Sequence, residues 1–224
     1  PISGSPIMKF LNTVPVVSDQ VSSDFSITFV KKNNSGFKII NDIANNLENQ
    51  TSITVCIGDY DLDNDVDLFV SQWFDNKKLS KQYLFSNEKG KFIEKTLESK
   101  INHGGRDIFS TFSDYNNDGY LDLFIINSER NRNYKNLGNN TFELMNNSAL
   151  FSSNSEKGIF IDYDIEGDLD LLLIDDKNVE VFQNNSDGTF KKNKSYIGFN
   201  QNNSSKKLLT YSDFNDDGDN DIIL

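Results

Sequence analysis

The stretch that decides how this chain folds is Asp114-Tyr-Asn-Asn-Asp-Gly-Tyr-Leu-Asp122, which runs straight into the apolar Leu123-Phe-Ile-Ile126. Carboxylates or amides fall at its first, third, fifth and ninth positions, with glycine at the sixth. Like charges at such spacing repel one another unless a cation sits among them. Alternation turns positions 1, 3 and 5 inward, and glycine at position 6 allows the positive φ of a sharp turn. Calcium is the cation this suits, since it takes roughly six to eight oxygens at about 2.3–2.6 Å.

The pattern recurs as Asp59-Tyr-Asp-Leu-Asp-Asn-Asp-Val-Asp67, Asp162-Tyr-Asp-Ile-Glu-Gly-Asp-Leu-Asp170 and Asp213-Phe-Asn-Asp-Asp-Gly-Asp-Asn-Asp221. A period near 50 residues is the spacing of propeller blades. About four Ca2+ sites are expected. Their ligands at positions 1, 3 and 5 are Asp59, Asp61 and Asp63; Asp114, Asn116 and Asp118; Asp162, Asp164 and Glu166; and Asp213, Asn215 and Asp217. Position 7 offers a backbone carbonyl from Asp65, Tyr120, Asp168 and Asp219, and position 9 closes the shell with Asp67, Asp122, Asp170 and Asp221. Glu166 is one methylene longer than the aspartates, so the third site is expected to be the weakest or most distorted. An EF-hand requires glutamate at position 12 between helices. Here that position holds Val70, Ile125, Leu173 and Leu224, which excludes it.

Outward from each loop the signals are those of strands. A β-prone stretch precedes it (Ser52 to Gly58, for instance), and a short apolar run such as Leu68-Phe-Val70 or Leu171-Leu-Leu-Ile174 follows. Further on, an aromatic strand meets an Asn/Gly turn and then a phenylalanine: Phe29 to Phe37, Tyr83 to Phe92, Tyr134 to Phe142 and Phe182 to Phe190. These read as hairpins, because Asn and Gly supply the positive φ of tight turns. The unit is therefore a four-stranded antiparallel blade, and the fold an all-β propeller. Blade units are expected at about 25–50, 51–98, 106–148, 157–196 and 206–224 of a single domain, with 1–24 as an extension or linker. Helix is expected only as a turn or two, at Asn41 to Leu47 and Glu94 to Lys100. The first unit supplies third and fourth strands and the last supplies first and second strands. That pattern fits an arc of about four blades cut from a larger ring, or alternatively a closed four-bladed ring. The start at Pro1 and the apolar end at Leu224 suggest a piece of something longer.

The net charge of -12 follows from the loops, which hold just over half of the 34 acidic residues. That distribution argues against a nucleic-acid partner. No run of eighteen apolar residues occurs, so no membrane insertion is expected in this segment. The single cysteine, Cys56, excludes an intrachain disulfide and reads as a core residue.

Catalysis needs a nucleophile, a base or an open metal with a poised water. The lone histidine, His103, lies in the Gly-rich connector Asn102-His-Gly-Gly-Arg-Asp107 and reads as a surface or turn residue. The paired carboxylates are committed to calcium by their spacing, which leaves glycosidase chemistry without its two free acids. Trp73 and the many Phe and Tyr read as core. The expectation is a non-catalytic module.

The string from Asp114 to Phe124, with its three partners and the aromatic at loop position 2 (Tyr60, Tyr115, Tyr163, Phe214), resembles FG-GAP/VCBS repeats. These are the calcium-loop blades of integrin alpha subunits and of many bacterial surface proteins. The Gly-Ala-Pro element is absent, so the chain is more similar to the bacterial VCBS-like branch. The resemblance implies blades of a seven-bladed propeller with calcium loops between first and second strands. It also implies protein or carbohydrate ligands in binding or adhesion, and an extracellular, periplasmic or cell-surface location. The alternative is the accessory or catalytic propeller of a secreted polysaccharide-degrading enzyme.

Overall fold

The computed structural model describes residues 28–33, 36–42, 52–74, 79–145, 155–175, 178–197, 210–218 and 221–223. The chain opens with the hairpin β1 (Thr28–Asn33) and β2 (Gly36–Asp42). The first complete blade follows: β3 (Ser52–Gly58), β4 (Asp67–Phe74), β5 (Leu79–Glu88) and β6 (Lys91–Glu94). A single helical turn, α1 (Thr96–Ser99), leads to the second blade, β7 (Asp107–Ser113), β8 (Asp122–Asn127), β9 (Arg132–Asn136) and β10 (Phe142–Leu144). The third is β11 (Lys157–Ile161), β12 (Asp170–Ile174), β13 (Asn178–Asn184) and β14 (Phe190–Ile197). Two further strands, β15 (Thr210–Ser212) and β16 (Asp221–Ile223), begin the next unit.

Each complete blade is a four-stranded antiparallel sheet in sequence order. The loops at 59–66, 114–121 and 162–169 join first to second strands, and all four hairpins lie where the Asn/Gly turns predict them. Position 9 opens the second strand in every unit, paired as Gly58↔Asp67, Ser113↔Asp122, Ile161↔Asp170 and Ser212↔Asp221. Among the described residues β16 pairs with β15 and β1 with β2, and no ladder joins the two ends. The architecture is an arc of propeller blades.

After the opening aspartate, the second strands of the three complete blades carry the unbroken apolar runs Leu68-Phe-Val70, Leu123-Phe-Ile-Ile126 and Leu171-Leu-Leu-Ile174 because both of their faces are buried. Successive side chains point to opposite faces, so Leu123 and Ile125 pack with Tyr60, Phe69 and Leu84 of the blade before. Phe124 and Ile126 pack with Phe160, Leu171 and Leu173 of the blade after. The core is thus a stack of layers between blades. The aromatic at loop position 2 is the wedge between them. Tyr60 stacks on Phe112 and tilts against Phe142 of the second blade, and Tyr115 meets Phe160 and Phe190 of the third. Both tyrosines are 1% exposed, whereas Tyr163 and Phe214, which complete blades do not follow among the described residues, are 37% and 54% exposed.

Two local expectations are corrected. Asn41 lies in strand β2, and the rest of the helix expected to Leu47 falls mostly outside the described residues. His103 is no surface residue, for its side chain is 2% exposed and that of its partner Asp107 is 1% exposed. Its Nε2 stands 2.9 and 3.0 Å from the two oxygens of Asp107, and its Nδ1 stands 3.2 Å from the Tyr134 hydroxyl. Asn127 adds a bond from Nδ2 to Asp107 Oδ1 at 2.7 Å. The connector folds between two blades, where each polar group must find a protein partner. Replacing His103 with Leu is expected to cost roughly 1–3 kcal/mol, because Asp107 is left buried with a missing donor. Urea unfolding measures it, and an unchanged midpoint would mean that the cluster contributes nothing.

Candidate metal centre

All four loops share one backbone scaffold. The position 1 carboxylate accepts from the N–H groups of positions 5 and 6: Asp59 from Asp63 and Asn64, Asp114 from Asp118 and Gly119, Asp162 from Glu166 and Gly167, Asp213 from Asp217 and Gly218. Position 6 has positive φ in each, including Asn64 at 70°, as predicted. Position 4 does too, at Leu62, Asn117, Ile165 and Asp216, all between 56° and 62°. Sequence gives no warning of that at Leu62 or Ile165, since apolar and β-branched residues avoid this region. The tertiary loop imposes it.

In the first loop Asp59, Asp61 and Asp67 converge, and in the third Asp162, Asp164 and Asp170, with one carboxylate oxygen from each within 4.8 Å of the others. Asp61 Oδ1 and Asp164 Oδ1, the same position in the two loops, are buried and meet no hydrogen-bond partner. Their other oxygens are anchored, Asp61 by Ser86 Oγ and Asp164 by Gln183 Nε2. A carboxylate clamped through one oxygen, bare and buried at the other, and clustered with two more acids fits a metal ion, and these two clusters could hold one. Desolvation by burial, aided by the neighbouring acids, pushes Asp67 up to about 7, and burial with the same help raises Asp59, Asp61 and Asp170. Asp122 of the second loop is pushed up to about 8 for the same reasons. A bound cation reverses that penalty.

The remaining predicted ligands are distributed as follows. Asp63 Oδ1 and Asp118 Oδ1 accept from the N–H two residues on, and Asp118 also meets Lys135 Nζ at 3.3 Å. In the second loop Asn116 Nδ2 donates to Asp122 Oδ2 at 3.0 Å. Glu166 is exposed and stands outside the third cluster. Position 7 side chains tie the loop to the hairpin of their own blade: Asp65 Oδ2 accepts from Lys89 N–H, Asp168 Oδ2 from Ser186 Oγ, and the Tyr120 ring lies against Gly138. In the fourth loop Asn215 Oδ1 accepts from Asp217 N–H, Asp219 lies outside the described residues, and of Asp221 only the backbone is described.

Position 9 is held by a residue that sequence reasoning missed. Asn87, Asn136 and Asn184, on or at the end of each third strand, donate N–H to one oxygen of Asp67, Asp122 and Asp170, each at 2.8 Å. Their side-chain amides donate to the position 8 carbonyls of Val66, Leu121 and Leu169. The signal available in sequence was an asparagine recurring at each hairpin, which reads equally well as turn chemistry.

Residues 114–171 and 162–224 each match the FG-GAP-like repeat. No curated protein matches the sequence. Among solved structures, a lectin from Agrocybe aegerita, described for specific recognition of non-reducing terminal N-acetylglucosamine, superposes with a TM-score of 0.56 at 15% identity. The match covers 94% of this chain and 60% of the lectin, so the chain spans less than two thirds of its length. A protein from Lactobacillus plantarum gives 0.49 at 9% identity over 84% of this chain and 52% of that one. The Photorhabdus luminescens Tc holotoxin pore gives 0.46 at 16% identity over 91% and 10%. The first loop, outside the matched segments, repeats the same hydrogen bonds, strand order and interblade tyrosine, and the chain belongs to the FG-GAP-like repeat family, built as β-propeller blades.

Proposed function

We propose that this chain is a calcium-stabilised, non-catalytic propeller module that binds a protein or carbohydrate ligand as part of a secreted or cell-surface protein. The observation that carries the calcium reading is the bare buried oxygen of Asp61 and of Asp164, each belonging to a carboxylate that clusters with two more acids. Carboxylates, amide oxygens and backbone carbonyls are hard donors, the set calcium prefers. When bound, the ion supplies the positive charge that these acids lack. Extracellular modules hold it at about 10⁻⁴–10⁻³ M, which suits calcium-rich surroundings. A ligand of the glycan class is supported by the lectin on the same architecture, and a protein ligand by the family's use in adhesion.

A glycan array and a calcium titration test the two halves separately. Binding of glycans in calcium and its loss in chelator is expected; hydrolysis of a polysaccharide by the chain would replace this reading with an enzymatic one. A further expectation concerns the third loop. Glu166→Asp shortens the side chain to the spacing of its neighbours and should tighten calcium at that loop several-fold, read from the Gly167 amide resonance. Weaker binding would show that the loop is built for the longer side chain.

A further inference from the structure

The loops of neighbouring blades are joined by a continuous hydrogen-bonded path that the loop sequences do not foreshadow. In the first loop the Tyr60 N–H donates to Asp67 Oδ2 at 2.9 Å. The carbonyl of the same residue accepts from Asn136 Nδ2 of the second blade at 2.8 Å. Asn136 in turn donates its own N–H to Asp122 Oδ1 at 2.8 Å, so the backbone of one tyrosine and one asparagine span two position 9 carboxylates. The next junction repeats the asparagine half of it: Tyr115 O accepts from Asn184 Nδ2 at 2.6 Å, and Asn184 N–H donates to Asp170 Oδ1 at 2.8 Å, while in the second loop Asp122 Oδ2 is met by Asn116 Nδ2 at 3.0 Å.

Neither asparagine has freedom to adjust. Asn136 and Asn184 are 1% and 5% exposed. Each spends both amide protons on two carbonyls, one of its own loop and one of the preceding blade. The Oδ1 atoms accept from Gly138 and Ser186 N–H groups at 3.0 and 3.1 Å. An asparagine so saturated transmits displacement, because moving the tyrosine carbonyl breaks a buried bond.

We propose that Asn136 and Asn184 are positioning residues that couple metal loading of adjacent blades, so that filling one loop tightens binding in the next. The inference rests on the calcium reading above. Fixing the first loop around an ion fixes Tyr60, whose carbonyl orders Asn136 and with it Asp122, so the second ion meets a loop whose ordering cost is already met. The coupling is reciprocal, as binding free energies require.

The test uses the whole chain and calcium alone. Gly119 and Gly167, at position 6 of the second and third loops, give amide resonances that report each site separately. Asp61→Ala disables the first loop by removing the carboxylate with the bare oxygen. In an otherwise unaltered chain it should weaken calcium at Gly119 roughly five- to tenfold, the usual size of such coupling. Adding Asn136→Ala should abolish that dependence. A merely structural asparagine would lower the affinity of the second loop without cancelling its sensitivity to the first. Asn184→Ala, with the second loop disabled by Asn116→Ala and read at Gly167, gives the same cycle at the next junction. Should either asparagine variant fail to fold, the effect of Asp61→Ala at Gly119 still decides. Unchanged affinity there overturns the coupling and leaves calcium binding standing, whereas glycine resonances that never shift with calcium overturn the calcium reading itself.

Discussion

On the proposed calcium reading, removal of the ion is expected to lower the melting temperature of this protein by about 10 °C or more. At a hundredfold excess over its dissociation constant, an ion that binds only the native state stabilises it by about 2.7 kcal/mol per site. Two such sites, the number of triads assembled around Asp61 and Asp164, exceed the change that moves a domain of this size by about 10 °C at roughly 2–4 °C per kcal/mol. The chelated protein should also depend on pH. Burial holds Asp67 at about 7 in the folded state against an ordinary value of 3.8, so the native form binds more protons than the unfolded chain between those values. Metal-free stability therefore falls as pH rises through that window, and the chelated melt should be lower at pH 8 than at pH 5. Calorimetry with and without chelator measures both. An identical melt in excess chelator would remove calcium from the structural account.

The second large effect belongs to the interblade wedge. Tyr115→Ala should destabilise the protein by about 3–5 kcal/mol, the cost of deleting a fully buried aromatic ring. Its ring centroid lies 5.6 Å from Phe190 and 6.0 Å from Phe160, so truncation opens a cavity between two blades and not within one. Phe214→Ala, the same loop position with its ring 54% exposed, should change stability by less than about 0.5 kcal/mol. Urea unfolding of the pair separates a packing role from a local loop role. Equal effects would mean that the aromatic serves its own loop and that the wedge is incidental.

The repeat at 59, 114, 162 and 213 determined the blade, because loop chemistry and strand signals recur in register and both are local. Positive φ at position 6, strands on either side of each loop and hairpins at the Asn/Gly turns all depend on neighbours in sequence, and each is present. Leu62 and Ile165 show where that reasoning ends, since their backbone angles are set by closure of the loop against residues two or more positions away. His103 shows it at longer range. Its burial depends on Asp107 and on Tyr134, thirty-one residues later, and a glycine-rich connector with one histidine looks the same in sequence whether it lies outside or between two blades. Asn136 and Asn184 were missed in sequence, because their bonds reach back 76 and 69 residues to Tyr60 and Tyr115. Sequence by itself determined the loop, its sharp turn at position 6 and the strand order. Only the stacking of one blade on the next decided which asparagine reaches which tyrosine carbonyl, which tyrosine is buried and where the histidine lies, because those contacts join residues that no period or local propensity relates.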